Sequence, residues 1–213
     1  MKLQTTPRFV LAIFLGLSVL IPSVAAAPES YDALVAKAEA DGLSVDYTVL
    51  RAAYAASDRD DPLGFAMDQN IGLMMKAMTA GDCDKALEIS EKVLKASFIN
   101  LLAHLVRSEC LNKRGELARA AREDTIISGL RDSIFLSGDG SSAKTAFVVV
   151  TLDEERFVLS SKGLQETQQA LIQNDGHSYD LIEGKSKDGT TRSLYFQIDA
   201  ITAAEVRMFK EKP

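Results

Sequence analysis

The sequence predicts an α+β protein, with N-terminal helical hairpins followed by a small antiparallel sheet carrying two helices. Three observations point there. A helical pattern repeats at an offset of 34 residues in the middle of the chain. The composition shifts to short β-rich runs after residue 136, and two turn signals, Asn174-Asp175-Gly176 and Lys187-Asp188-Gly189, divide those runs. A balance of 46% hydrophobic and 25% charged residues over 213 positions is that of a globular protein and excludes disordered, collagenous and multi-span membrane classes. The expected division is 1–26, 27–136 and 137–213.

Residues 1–26 have the layout of a secretory signal peptide. Lys2 and Arg8 precede an uncharged apolar run from Phe9 to Ile21, and Pro22 leads into Ser23-Val24-Ala25-Ala26-Ala27. Cleavage is expected after Ala26, since cutting one residue later would leave Pro28 at the new terminus. The competing expectation is an uncleaved anchor, because the uncharged stretch from Phe9 to Pro28 is about long enough to span a bilayer. With cleavage no stable membrane anchor remains, and the protein is expected in the periplasm or the medium. No cysteine lies near the cut, which excludes a lipoprotein.

Ser30 to Asp41 reads as a short helix ending at Gly42, and Asp46 caps a second that runs to Ser57. The loop Asp58-Arg59-Asp60-Asp61-Pro62 is acidic enough to suggest calcium. The EF-hand template fails there, with Leu63 where glycine is needed and Gln69 in place of the bidentate glutamate. Gly81-Asp82-Cys83-Asp84-Lys85-Ala86-Leu87 then aligns with Gly115-Glu116-Leu117-Ala118-Arg119-Ala120-Ala121, Gly over Gly, acid over acid, base over base and Ala over Ala. This 34-residue period and pattern resemble the tetratricopeptide repeat. The resemblance departs at the first-helix positions, where Asn70 and Met74 stand in one unit and His104 and Ser108 in the other.

Cys83, Ala86, Leu87, Ser90, Val93 and Leu94 form one stripe of a helix over about 82–96, and Ala103, Val106 and Cys110 one of a helix over about 99–114. The short connection at Ser97 and Phe98 makes the two antiparallel, so Cys83 falls within a helical turn of Cys110. Export favours a disulfide between them, worth about 3–4 kcal/mol in the chain-entropy model. The alternative is two buried free thiols.

Ser137-Gly138-Asp139-Gly140-Ser141-Ser142 reads as a linker, Ala146 to Thr151 as a buried strand, and Asp153 to Lys162 as a helix stopped by Gly163. Leu164 to Gln173 and His177 to Glu183 flank the first turn signal. In Thr191 to Asp199, Leu194, Phe196 and Ile198 alternate onto one face. Ile201, Ala204 and Met208 are spaced for a closing helix on the sheet.

Little of this carries chemistry. Two histidines, two cysteines and no tryptophan exclude most metal and nucleophile constellations, and the net charge of −6 is the wrong sign for nucleic acid. Gly138 to Thr145 comes within one residue of a phosphate-binding loop, but a strand follows where that loop needs a helix. His177, Tyr179 and Asp180 are the candidate binding residues, in the densest run of reactive types. As strand neighbours, His177 and Tyr179 point opposite to Ser178 and Asp180 and cannot form a Ser-His-Asp relay. The plainer reading is a histidine and a tyrosine satisfied at a hairpin end. His104, alone on a helix, reads as structural. No catalytic residue, metal ligand or cofactor site is assigned.

Four blocks carry a resemblance over nearly the whole mature chain. Asp46-Tyr47-Thr48-x-Leu50-Arg51-x-x-Tyr54-Ala55, Gly138-Asp139-Gly140-x-Ser142 with Thr145-Ala146-Phe147, Gly176-His177-Ser178-Tyr179-Asp180, and Leu194-Tyr195-Phe196-x-Ile198-Asp199 resemble the bacterial exported family of domain of unknown function 4919. The resemblance implies an envelope protein, helical and then β-containing, and brings no activity, cofactor or catalytic residue. The expected function is a non-enzymatic interaction or scaffold module that binds another envelope protein through its helical half. The alternative is a hydrolase or small-ligand-binding protein acting through the β-rich half.

Overall fold

Short polar side chains start most of the N-terminal helices, accepting hydrogen bonds from otherwise unpaired first-turn N–H groups. A computed structural model describes residues 29–57, 59, 61 and 68–210, so the expected signal peptide and most of the acidic loop lie outside the described residues. Ser30 caps α1 (Tyr31–Ala40) and Asp46 caps α2 (Tyr47–Ala55). After α3 (Asp68–Thr79), Asp82 caps α4 (Cys83–Ala96) and Asn100 caps α5 (Leu101–Lys113); α6 (Leu117–Phe135) follows.

The two glycines aligned at the 34-residue offset have the same backbone geometry. Gly81 and Gly115 have φ of 75° and 74°. Each N–H bonds back to Met78 O and Asn112 O, and the next N–H reaches Ala77 O and Leu111 O. Both helices therefore end in the same glycine-dependent motif, because only glycine takes a left-handed conformation without a Cβ penalty. α4 and α5 run antiparallel, and the Cys83–Cys110 disulfide joins the start of one to the end of the other with Cα atoms 5.2 Å apart.

The segment from Ser137 to Ser142 is a packed corner, not a linker. Asp139 N and Gly140 N both donate to Thr145 O, and Tyr195 N donates to Gly140 O. A Cβ at Gly138 would sit 2.3 Å from Thr145 O, so the chain closes there only around glycine. A 3₁₀ turn at Ala143–Thr145 leads into β1 (Phe147–Val148), shorter than the strand expected over 146–151. Val149 N still bonds Gln197 O, but Val150 N turns to the Glu154 carboxylate, which ends the ladder.

α7 (Leu152–Ser161) returns the chain to the same end of the sheet. β2 (Leu164–Asn174), β3 (His177–Ser186) and β4 (Thr191–Gln197) follow, then α8 (Asp199–Lys210). The order is β1-β4-β3-β2. β2, β3 and β4 pair antiparallel as expected, whereas β1 joins β4 in parallel, so the sheet is mixed. Asp175 and Gly176, with φ of 49° and 82°, form the hairpin turn whose twist matches the strands.

The larger hydrophobic cluster runs from Tyr31 and Leu50 through Ile126 and Leu130 to Phe147, Phe196 and Ile201, spanning both sides of position 136. A smaller one, with Met74, Ile89, Val93 and Val106, holds α3, α4 and α5 together. The expected stripe residues Leu194, Phe196 and Ile198 are buried, as are Ile201 and Ala204. Inside the larger core, Arg51 of α2 grips Glu154 of α7 with Nε and Nη2 at 2.7 and 2.6 Å, both side chains 3% exposed. Among the described residues, no helix is long and apolar enough to cross a membrane.

Candidate functional site

A cavity of about 650 Å³ opens between α1, α4, α5 and α6. Helical spacing builds its walls. Tyr31, Val35 and Glu39 line α1 at successive turns, Glu91, Leu94 and Lys95 the end of α4, His104 and Arg107 the first half of α5, and Arg119, Arg122, Glu123 and Ile126 one face of α6. The Asn100 cap, whose Oδ1 accepts from Ala103 N at 2.9 Å, starts α5 where His104 falls at the base.

The base is a buried charged network. His104 is 1% exposed. Its Nε2 lies 2.7 Å from Phe98 O and its Nδ1 2.7 Å from Glu123 Oε2. Arg107 Nε donates to Glu123 Oε1 at 2.7 Å. Burial alone would push the Glu123 carboxyl up, but the hydrogen bonds and charges of His104 and Arg107 outweigh it and hold the group below the usual carboxylate range. Both ring nitrogens of His104 thus lie within hydrogen-bond distance of oxygen atoms. Phe98 N donates to the Tyr31 hydroxyl, whose ionisation burial pushes up.

Above that base, cations outnumber carboxylates. Arg59, Lys95, Arg107, Arg119 and Arg122 line the cavity against Glu39, Glu91 and Glu123. Arg59 pairs with Asp32, and Arg119 with Glu116. Arg122 donates only to the Glu39 carbonyl at 2.9 Å, and neither it nor Lys95 makes an ion pair among the described residues.

The residues singled out on β3 lie apart from this cavity, with His177 and Tyr179 side by side on one face of the strand and Asp180 on the other. His177 is half exposed, with Nδ1 2.5 Å from Asp199 Oδ2. Asp199 also accepts from Ser178 N and the Gln197 amide, and these bonds with His177 outweigh burial to hold its carboxyl low. Tyr179 is buried and its ring centre lies 6.4 Å from the His177 ring. Asp180, on the opposite face, is buried against Glu155 of α7 and accepts from Gln169 Nε2 at 2.6 Å. Burial first, and then the Asp180 charge, push the Glu155 carboxyl up to about 9, and Glu155 Oε1 has no hydrogen-bond partner. Cys83 and Cys110 are bonded to each other. Among the described residues, no group of three or more His, Cys, Asp or Glu side chains is placed to hold a metal ion.

The sequence profile of domain of unknown function 4919 matches residues 30–207. The chain belongs to that family. No curated protein and no solved structure matches it. In this member of the domain of unknown function 4919 family, the four blocks that carried the resemblance sit mainly at joints of the fold: the Asp46 cap, the Arg51 ion pair, the Gly138 corner and the buried Phe196. Sequence reasoning missed the cavity residues Arg107, Arg119, Arg122 and Glu123, together with Glu155 and Asp199. The signal for the first group was present as helical spacing, with Arg119, Arg122 and Glu123 on one face of α6.

Proposed function

We propose that the protein is an exported envelope protein that works as a non-enzymatic protein-binding module, taking an acidic segment of another envelope protein into the cavity between α1, α4, α5 and α6. One observation carries this reading: a chain of net charge −6 gathers five cationic side chains around a single cavity. Two of them, Lys95 and Arg122, make no ion pair among the described residues. Partner carboxylates would supply the missing counter-charges and steer encounter. The repeated glycine motif at Gly81 and Gly115 supports a tetratricopeptide-like arrangement, and stacked helical hairpins serve recognition by presenting grooves. The signal-peptide layout of residues 1–26 supports export and cleavage after Ala26.

The test is fluorescence anisotropy with a glutamate-rich peptide and a lysine-rich peptide of equal length. The acidic peptide should bind and weaken with added salt. The pair Lys95→Ala with Arg122→Ala should lower its affinity about ten-fold, equivalent to about 1.4 kcal/mol, and His177→Ala should leave it unchanged. Equal binding of both peptides, or loss of binding with His177→Ala alone, would overturn the assignment.

A further inference from the structure

The β2 edge of the sheet is long, carries a single charge and is uncovered among the described residues. β2 is an end strand of the order β1-β4-β3-β2, spans Leu164–Asn174, and has β3 as its only hydrogen-bonded neighbour in that sheet. From Gln165 to Gln173 its residues are exposed or half-buried, with Leu171 65% exposed. Natural edge strands block pairing with lysine, proline, inward charges or short length. This one contains no lysine or proline, and Glu166 is its single charge. Its one irregularity is the register shift between Glu166 and Gln168.

The hairpin turn determines which backbone groups point outward. Asn174 pairs with His177 across the two-residue turn, so those two exchange both hydrogen bonds and the pattern alternates back along β2. Gln173, Leu171 and Gln169 therefore turn their N–H and C=O groups away from β3, toward the free edge.

We propose that this edge pairs antiparallel with the same edge of a second copy, about a two-fold axis at Leu171. Such an axis places each residue opposite its symmetry equivalent, so the segment must tolerate itself. It does. Leu171 meets Leu171, Ala170 meets Ile172 and Gln169 meets Gln173, which gives apolar against apolar and amide against amide. Residues 167–174 hold no charge, so two acidic chains approach here without like charges in register. Glu166 falls beyond the paired stretch, opposite the turn of the other copy. The two sheets become one continuous sheet in which both β2 edges are paired and β1 stands at either end. The proposal is independent of the cationic cavity, which lies among the helices.

Light scattering coupled to size exclusion on the purified protein tests it. The wild type should have the mass of two chains, and Leu171→Lys the mass of one with an unchanged circular dichroism spectrum. Mixing Leu171→Lys with Leu171→Glu should restore a mixed dimer by placing opposite charges across the axis. Should Leu171→Lys fail to fold, Leu171→Cys provides the second reading: mild oxidation should link two chains through residue 171, while Gln165→Cys should not link. A single-chain mass for the wild type overturns the proposal. So does a dimer that survives Leu171→Lys unchanged, or crosslinking through residue 165 but not 171.

Discussion

Replacing Arg51 with methionine should be among the most damaging single changes in the protein. The guanidinium has five N–H donors, and the structure supplies five acceptors: both Glu154 oxygens, Val148 O, Ser133 O and Ser133 Oγ. At 3% exposure no water takes over any of these bonds. Arg51→Met leaves Glu154 as an uncompensated buried carboxylate whose remaining partner is Val150 N. Breaking a buried pair from one side costs about 3–5 kcal/mol. Against a total stability of about 5–15 kcal/mol, that is about a fifth of the margin or more. Urea unfolding followed by far-ultraviolet circular dichroism measures it directly. The double variant Arg51→Met with Glu154→Leu should lose less than the sum of the two singles, because it leaves no charge behind. A loss below about 1 kcal/mol for Arg51→Met, or strict additivity in the double variant, would refute the assignment of this pair as the joint between α2 and α7.

A thiol assay on denatured, unreduced protein should find no free cysteine, and reduction should lower stability by about 3–4 kcal/mol for a bridge between residues 27 apart in sequence; two titratable thiols would remove the bridge. Glu155→Gln should abolish a loss of stability that the wild type shows between about pH 4.5 and 9. The folded protein holds the Glu155 proton to about pH 9, while the unfolded chain releases it near the ordinary 4.5, so the wild type weakens as pH rises through that window. Equal pH slopes for wild type and variant in thermal melts would contradict this.

How far the fold could be read from sequence depended on how local each determinant was. The Asp46 cap, the approximate spans of the N-terminal helices, the Asn174-Asp175-Gly176 turn and the Cys83–Cys110 pairing all depend on residues within one element or one hairpin, and capping, turn and periodicity signals revealed them, whereas the caps at Ser30, Asp82 and Asn100 emerged only with the structure. The shortening of β1 did not follow, because Val150 N is taken by a carboxylate four residues on, which strand propensity does not register. Glu154 and Glu155 begin α7 among three acids in a row, a pattern that reads as a solvated helix start, yet both are buried. Their partners Arg51 and Asp180 stand far away in the sequence, and a single sequence shows the face of a helix without naming what that face meets. The cationic cavity was opaque for the same reason: Arg107 and Glu123 belong to different helices, and His104 looked solitary until α6 was placed beside it.

The position of the disulfide bears on how the molecule would come apart. It lies in the smaller hydrophobic cluster, where eight buried residues are described against twenty-four in the larger one. Left to packing alone, α3 and α4 would be the first part to open and exchange amide hydrogens, since local unfolding begins where least surface is buried. The covalent tie joins α4 to α5, and α5 begins inside the larger cluster at Leu101. Opening of the outer hairpin is thereby coupled to the main core, so that with the bond intact unfolding approaches one cooperative event and with the bond reduced it separates into two.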